Sequence, residues 1–432
     1  MLDYFFSYIV LVIAIVMMAS VQFLLLSKFF THSTPPLTQE SKINYIKRKD
    51  KHMKKAKGIT LVALVITIII LLILAGISIS VLTNTEIIQK AKDARRETEN
   101  AKMQESEYMY SYEKEINKYT AQELTSEKIN TILSETENIV LKDAEENVFV
   151  LPAGFKVVDT GDITAEKGIV VEDGKENQYV WIPCTTEEST TQLQYKRTEW
   201  DVEIDGDDNS RASKDELTLT DAKCSKEDSD NGLTDEVTAE IVEQIKAERA
   251  SVSKNGGYYI GRYEVGNENG TAVIKYNQTP YTIGVVWSKA YKLAKGIGGG
   301  EGATTYLCSS YAWDTAINFI ENNGTKNYAT TRENFNENWY DREVRDSNKE
   351  VIKSVDDAQR LETGKTTAKC NIFDIGGNVT EFTTEVMPST SQSAVLRGGS
   401  YAIFKFTAGQ RFDDDISDTN KNIGFRATLF LK

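Results

Sequence analysis

Asp374-Ile375-Gly376-Gly377-Asn378-Val379-Thr380-Glu381-Phe382 is followed by Leu396-Arg397-Gly398-Gly399-Ser400-Tyr401 and then by Gly424-Phe425-Arg426. Glycine permits tight backbone geometry that side-chain-bearing residues reach only under strain, so the paired glycines mark sharp turns. Arg397 and Arg426 are expected to pair with buried carboxylates, because a cation drawn into a core must be neutralised there. Working back along the chain, Tyr259-Ile260-Gly261-Arg262-Tyr263-Glu264-Val265 reads as a strand. Pro280 followed by Val285-Val286-Trp287-Ser288-Lys289-Ala290 opens a helix. Leu307-Cys308-Ser309-Ser310-Tyr311-Ala312-Trp313-Asp314 opens another, capped by Ser309 or Ser310.

In this order and spacing the six motifs resemble the formylglycine-generating enzyme (sulfatase-modifying factor) domain, a C-type-lectin-like fold. The resemblance covers residues 257–432, and more if the strand at 179–183 is its first. Together with the N-terminal half, it implies an α+β chain: a long membrane and stalk helix followed by a C-type-lectin-like domain. The enzymes of this family carry a cysteine pair just after the Gly-Gly-Ser segment. The corresponding places, near Ile403 and Ala408, lie in a stretch with no cysteine from Tyr401 to Lys432. Thiolate copper or redox chemistry is therefore unavailable there. Both histidines, His32 and His52, precede Gly58, so a product cleaved at Gly58 also lacks the ligands of the iron enzymes that share the fold, and every His general base.

What the resemblance leaves is a scaffold. Retroelement-diversified variable proteins use the same fold and build a ligand face between the Arg-Gly-Gly-Ser and Gly-Phe-Arg motifs. Here that segment, 401–422, carries Tyr401, Phe404, Lys405, Phe406, Arg411, Phe412 and Asp413-Asp414-Asp415. Aromatics beside charges suit recognition, because aromatic anchors bury area at low entropic cost while charges orient the partner. Tyr401, Arg411, Asp413 and Asp415 are the expected exposed contacts. Phe404 and Phe406 share a strand face and serve either as contacts or as core. The resemblance also implies a calcium site with Asp374 and Glu381 as side-chain ligands and Gly377 and Val379 as carbonyl ligands. Hard oxygen donors suit Ca²⁺; the alternative is a loop held by hydrogen bonds alone.

The N-terminal half has its own signature. Lys54-Lys55-Ala56-Lys57-Gly58 leads into an uncharged run of 24 residues, 59–82, which spans about 36 Å as a helix, enough to cross a bilayer. Lys57-Gly58 followed by Ile59-Thr60-Leu61-Val62 resembles the class III signal of type IV prepilins. That implies a prepilin peptidase cutting after Gly58, methylation of Ile59, and other pilin-like subunits as partners. Ala63 stands where that family usually has Glu, which bears on assembly rather than insertion. The plain alternative is an uncleaved anchor. Residues 1–52 hold another apolar run, at 4–26, read either as a second membrane helix or as sequence ahead of a start at Met53. Both readings keep 42–57 inside and place the residues after 82 outside a bacterial cell membrane.

Residues 1–58 hold 9 Lys and Arg against 3 Asp and Glu, which leaves 41 basic and 61 acidic residues beyond. An ectodomain of that balance is a poor nucleic-acid binder. Ile87, Ala91, Ala94, Ala101 and Tyr108 mark one helical face, continued by a short helix at 125–137, so 83–137 reads as a stalk. Strand patterns follow over 138–184 and belong with the head. Residues 185–256 read as an acidic insertion with a helix at 233–249. Within it Asp205-Gly206-Asp207-Asp208-Asn209 and Glu216 have EF-hand spacing, but Ser210 replaces the turn glycine, which favours a solvated acidic loop. Cys184, Cys224, Cys308 and Cys370 allow three disulfide pairings in an exported domain and lack zinc spacing. The leading expectation is a non-catalytic surface adhesin for a protein or glycan ligand. The alternatives are a formylglycine-generating enzyme and a structural pilin or pseudopilin.

Overall fold

The computed structural model describes residues 66–71, 85–200, 203–204, 207–208, 215–219, 235–282, 286–332, 336–386, 393–402, 406–415 and 420–432. The chain divides into two compact units, Met1–Glu97 and Thr98–Lys432. In the first, 66–71 and 85–97 are helical. Among the described residues no helix is long and apolar enough to cross a membrane. Gly58, Ile59 and most of the run 59–82 lie outside the described residues.

Helix α1 runs from Thr85 to Thr120. The stalk expected over 83–137 is helical only that far. The short helix expected at 125–137 is replaced by the two-residue strand Gln122–Glu123 and a series of turns. The reason is competition from the head. The Leu124 amide donates to the Lys142 carbonyl at 2.9 Å and the Asn130 amide to the Val157 carbonyl at 2.8 Å, while Leu124 and Leu133 pack against the core. Tertiary bonds and burial outweigh a weak local helical preference.

The centre of the second unit is a six-stranded antiparallel sheet. Its strands are β1 (Lys156–Val157), β2 (Val170–Glu172), β3 (Gln178–Pro183), β4 (Gly257–Gly261), β5 (Ala303–Leu307) and, from the far end of the chain, β10 (Ala427–Leu431). The spatial order is β5-β10-β4-β3-β2-β1. Every residue of β4 and β10 is buried, as expected of strands covered on both faces, where the hydrophobic pattern runs on instead of alternating. A second sheet has the order β8-β7-β6-β9, from β6 (Thr380–Val386), β7 (Ser393–Arg397), β8 (Phe412–Asp415) and β9 (Ile423–Phe425). Only the β6–β9 pair in it is parallel.

Three helices cover the sheets. Helix α2 (Asp235–Asn255) buries Ile241, Gln244, Ile245, Glu248 and Val252, a three- and four-residue spacing that defines one face. Helix α3 (Trp287–Ile297) buries Trp287, Ala290, Tyr291, Ala294 and Ile297. Helix α4 (Ser310–Asn322) starts where the Ser309 hydroxyl accepts from the Ala312 amide, which satisfies one of the donors a helix N-terminus leaves open. Buried aromatics then lock the layers: Trp287 Nε1 donates to the Thr383 carbonyl at 2.7 Å and Trp313 Nε1 to the Ala408 carbonyl at 3.0 Å.

Two readings of the middle of the chain change. Residues 185–256 return to the core through α2 and through Glu216, whose side chain is fully buried. The segment with EF-hand spacing forms a small hairpin, Glu203–Ile204 against Asp207–Asp208, and its twelfth-position residue, Glu216, faces inward. Cys308 and Cys370 are free thiols; Cys224 lies outside the described residues. Cys184 follows β3 and Cys308 follows β5, strands separated by β4 and β10, so no bridge joins them. Burial raises the Cys308 pKa and pushes Cys370 up to about 11, which leaves both thiols poor nucleophiles.

Candidate functional site

The two glycine motifs are knitted together. The Gly377 amide donates to the Gly398 carbonyl and the Tyr401 amide to the Asn378 carbonyl, both at 2.9 Å. Gly377 has φ of 81°, and a Cβ there would lie 2.8 Å from the Asn338 carbonyl oxygen. Backbone cannot yield as a side chain can. We expect Gly377→Ala to cost about 2 kcal/mol or more in a denaturant titration; a loss under about 0.5 kcal/mol would contradict the packing described.

Directly beneath lies Glu381, opposite Arg397 in the β6–β7 pairing. Arg426 clasps Glu381 with both ends, Nε to Oε2 at 3.0 Å and Nη2 to Oε1 at 2.6 Å. It also donates to the Gly261 and Phe373 carbonyls. Burial, against the pull of Arg426, pushes the Glu381 carboxyl up to about 7. Asp374 accepts from the Gly364 amide and the Thr366 hydroxyl, each at 2.6 Å. Asn378 donates to Glu264 and accepts from the Leu361 amide and Asn338. Asp374 and Glu381, implied as side-chain calcium ligands, thus accept from protein donors, and Gly377, implied as a carbonyl ligand, gives its amide to the knot.

Two residues of the segment expected to form a ligand face, Tyr401 and Arg411, are buried instead of exposed. Tyr401 is 3% exposed and Arg411 is 2% exposed. Arg411 donates from Nε to Glu385 at 2.6 Å, from Nη1 to the Thr198 carbonyl at 2.9 Å and from Nη2 to Asp314. Arg397 reaches the other oxygens of the same two acids, Asp314 and Glu385, each at 2.6 Å. Two guanidinium groups and two carboxylates therefore form a closed ring, each acid bridging both arginines. Burial works against the Arg411 charge, but Glu385 and Asp314 outweigh it and raise its pKa. Phe406 is half-buried and stacks on Phe412 with ring centroids 4.3 Å apart. Asp413 and Asp415 pair across to Val395 and Ser393 in the β7–β8 ladder, and Phe404 lies outside the described residues.

Sequence reasoning missed a neighbouring acid lattice at the N-terminus of α4. Glu216 accepts from the Ser310 amide at 2.9 Å, the Ser310 hydroxyl at 2.5 Å and the Thr384 hydroxyl at 3.1 Å. Glu248 accepts from the Tyr195 hydroxyl at 2.6 Å, Ser309 at 2.7 Å and Gln244 Nε2 at 2.8 Å. Burial pushes both carboxyls up to about 7, with the Glu385 charge adding to the shift at Glu216. The one signal in the sequence was Ser309-Ser310 at the helix start: two hydroxyls and open amides in a core invite carboxylates. Nothing local to 216 or 248 pointed there.

Two solved structures align with part of the chain. Treponema denticola variable protein 1 does so at 16% identity and a TM-score of 0.29, over 40% of this chain and 84% of that one. CarF does so at 13% identity and a TM-score of 0.29, over 41% and 87%. Comparison with curated proteins gives no match. Residues 287–429, which contain α3, α4, both glycine motifs and the arginine–carboxylate ring, match the family model of the sulfatase-modifying factor enzyme 1-like domain.

Proposed function

We propose that the chain is a surface recognition protein: a non-catalytic head of the sulfatase-modifying-factor fold, carried outside the cell by an N-terminal membrane segment. The observation that supports it best is at the place where the enzymes of this fold carry their thiols. Residues 401–432 contain no cysteine, and the conspicuous ionisable side chain of that stretch, Arg411, is locked into the buried ring. A fixed, charge-neutral interior of this kind suits a scaffold. In this reading contacts to a partner come from surface residues around the ring, not from Tyr401 or Arg411.

Two experiments test the proposal. The full chain should bind at least one member of a glycan and protein array while leaving a sulfatase-derived cysteine peptide unmodified by mass spectrometry. Conversion of that peptide to formylglycine would overturn it in favour of an enzyme. Sequencing of the mature N-terminus should begin at Ile59, with shaving of intact cells by protease removing the head. A start at Met1 or Met53 would leave an uncleaved anchor and remove the pilin-like part of the reading.

A further inference from the structure

Helix α1 has two faces. From Thr98 onward it belongs to the second unit, and one side of it meets the head. Tyr110 and Asn117 are half-buried there. Tyr110 borders a cavity of about 270 Å³ with Ala250, Lys254 and Phe430, and Glu113 lies 3.8 Å from Lys254 of α2. The other side faces water. Tyr108, Met109, Tyr112, Ile116 and Tyr119 are 59–88% exposed. Tyr108, Tyr112, Ile116 and Tyr119 follow at steps of four, four and three, so they share one face of the helix.

That face is large for a chain standing alone. With about 150–250 Å² per aromatic side chain, the five residues leave about 600 Å² of apolar surface in water, the upper end of what a monomer carries. Two copies covering each other would bury about 1,200 Å², which reaches the range of stable interfaces. The spacing also fits a copy of itself. Steps of four and three alternate from Ala101 through Glu105, Tyr108, Tyr112 and Glu115 to Tyr119, the seam of a two-stranded coil. The sequence keeps three-, four- and seven-residue steps upstream, at Ile87, Ala91, Ala94 and Ala101. In a parallel pair each seam residue faces its own counterpart. Glu115 is paired with Lys118 of its own helix, while Glu105 meets its twin and holds the pair to moderate strength. A lipid surface is the poorer occupant, because helices that lie on membranes carry a basic polar face. Residues 98–120 hold five acidic against three basic residues.

We propose that a second copy of this chain covers the face, so that two chains pair in parallel along α1 with Tyr112 and Tyr119 each against its counterpart. The parallel sense rests on the proposed function, since two chains held by segment 59–82 leave the membrane in the same direction. The pairing itself is read in detergent micelles, apart from where the chain resides. Analytical ultracentrifugation of the full chain over a concentration series should show a reversible two-chain species. Tyr112→Ala combined with Tyr119→Ala, two surface changes to a good helix former, should weaken it at least about tenfold. The unfolding midpoint of the head should stay the same. Glu105→Leu should tighten pairing about fivefold by taking like charges out of the seam. On mild oxidation Tyr119→Cys chains should cross-link to one another, and Ser106→Cys chains no more than the parent. The surface is overturned by a chain that stays monomeric up to about 100 µM, by pairing that the double alanine variant leaves unaltered, or by Ser106→Cys linking as well as Tyr119→Cys. Linking of Tyr119→Cys chains to Glu105→Cys chains in preference to themselves would overturn the parallel sense, and with it the shared membrane.

Discussion

The unfolding midpoint of the head should fall as pH rises from 5.5 to 8. Glu216, Glu248, Glu337 and Glu381 are each pushed up to about 7 from an ordinary value of 4.5, in every case chiefly by burial. Between those two values the folded chain holds protons that the unfolded chain has released. Stability from these groups is therefore complete below about pH 4.5 and is lost as pH climbs through about 7. A shift of that size is worth at most about 3 kcal/mol per group, and the groups interact, so the sum is smaller than four independent terms. A drop of about 5–10 °C across the interval is the expected scale for a unit of this length. Most proteins weaken toward acid instead, so the sign is diagnostic. A midpoint that is flat or rises from pH 5.5 to 8 would refute the buried, protonated carboxyl lattice. Glu216→Gln, which keeps the shape and removes the titration, should flatten part of the curve.

The second large effect is expected at the arginine ring. Arg397→Met leaves buried Asp314 with Arg411 alone and Glu385 with Arg411 and the more distant Arg197, at 3.5 Å. Removing one partner of a buried pair typically costs about 3–5 kcal/mol, because the surviving charge can be neither solvated nor neutralised. Arg411→Met should behave alike, and the double variant should cost less than the two separately, since the same two acids are exposed each time. Lysine is not a substitute: one ammonium cannot span Asp314 and Glu385 as the guanidinium does. Denaturant titration reads all four proteins. A cost below about 1 kcal/mol for Arg397→Met would show that the ring relaxes or hydrates.

The sequence carried the C-terminal motifs clearly because their glycines, caps and arginines have local physical reasons. Ser309 caps α4 as its position before the helix implied, and Arg426 found Glu381 as a buried cation must. The pairing of Arg411 was illegible. Beside Asp413-Asp414-Asp415 it reads as a surface charge, and its acids, Asp314 and Glu385, lie on other elements far along the chain. Glu216 was hidden for the same reason: a run of acids and serines gives no sign that one carboxyl turns inward. The turns at 125–137 show the converse failure, a local pattern overruled by backbone bonds to residues 142 and 157. Tyr401 was read as exposed because aromatics in a loop suit recognition, yet the knot between the glycine motifs draws it under.

The position of β10 carries a consequence for how the molecule comes into being. Residues 427–431 run between β5 and β4 and pair with both, so the strand of the main sheet that comes latest in the order of the chain is its keystone. Until it arrives, β5 and the block β4-β3-β2-β1 share no ladder and their apolar faces stay unmatched. Pairing between residues so distant in sequence is slow, because loop closure must precede any gain. During that wait the nascent chain presents sticky, half-built edges, the state in which chaperones act and aggregation begins. A stop codon or frameshift just ahead of residue 427 is therefore not a trimming of a dispensable segment. It removes the strand on which completion of the head depends.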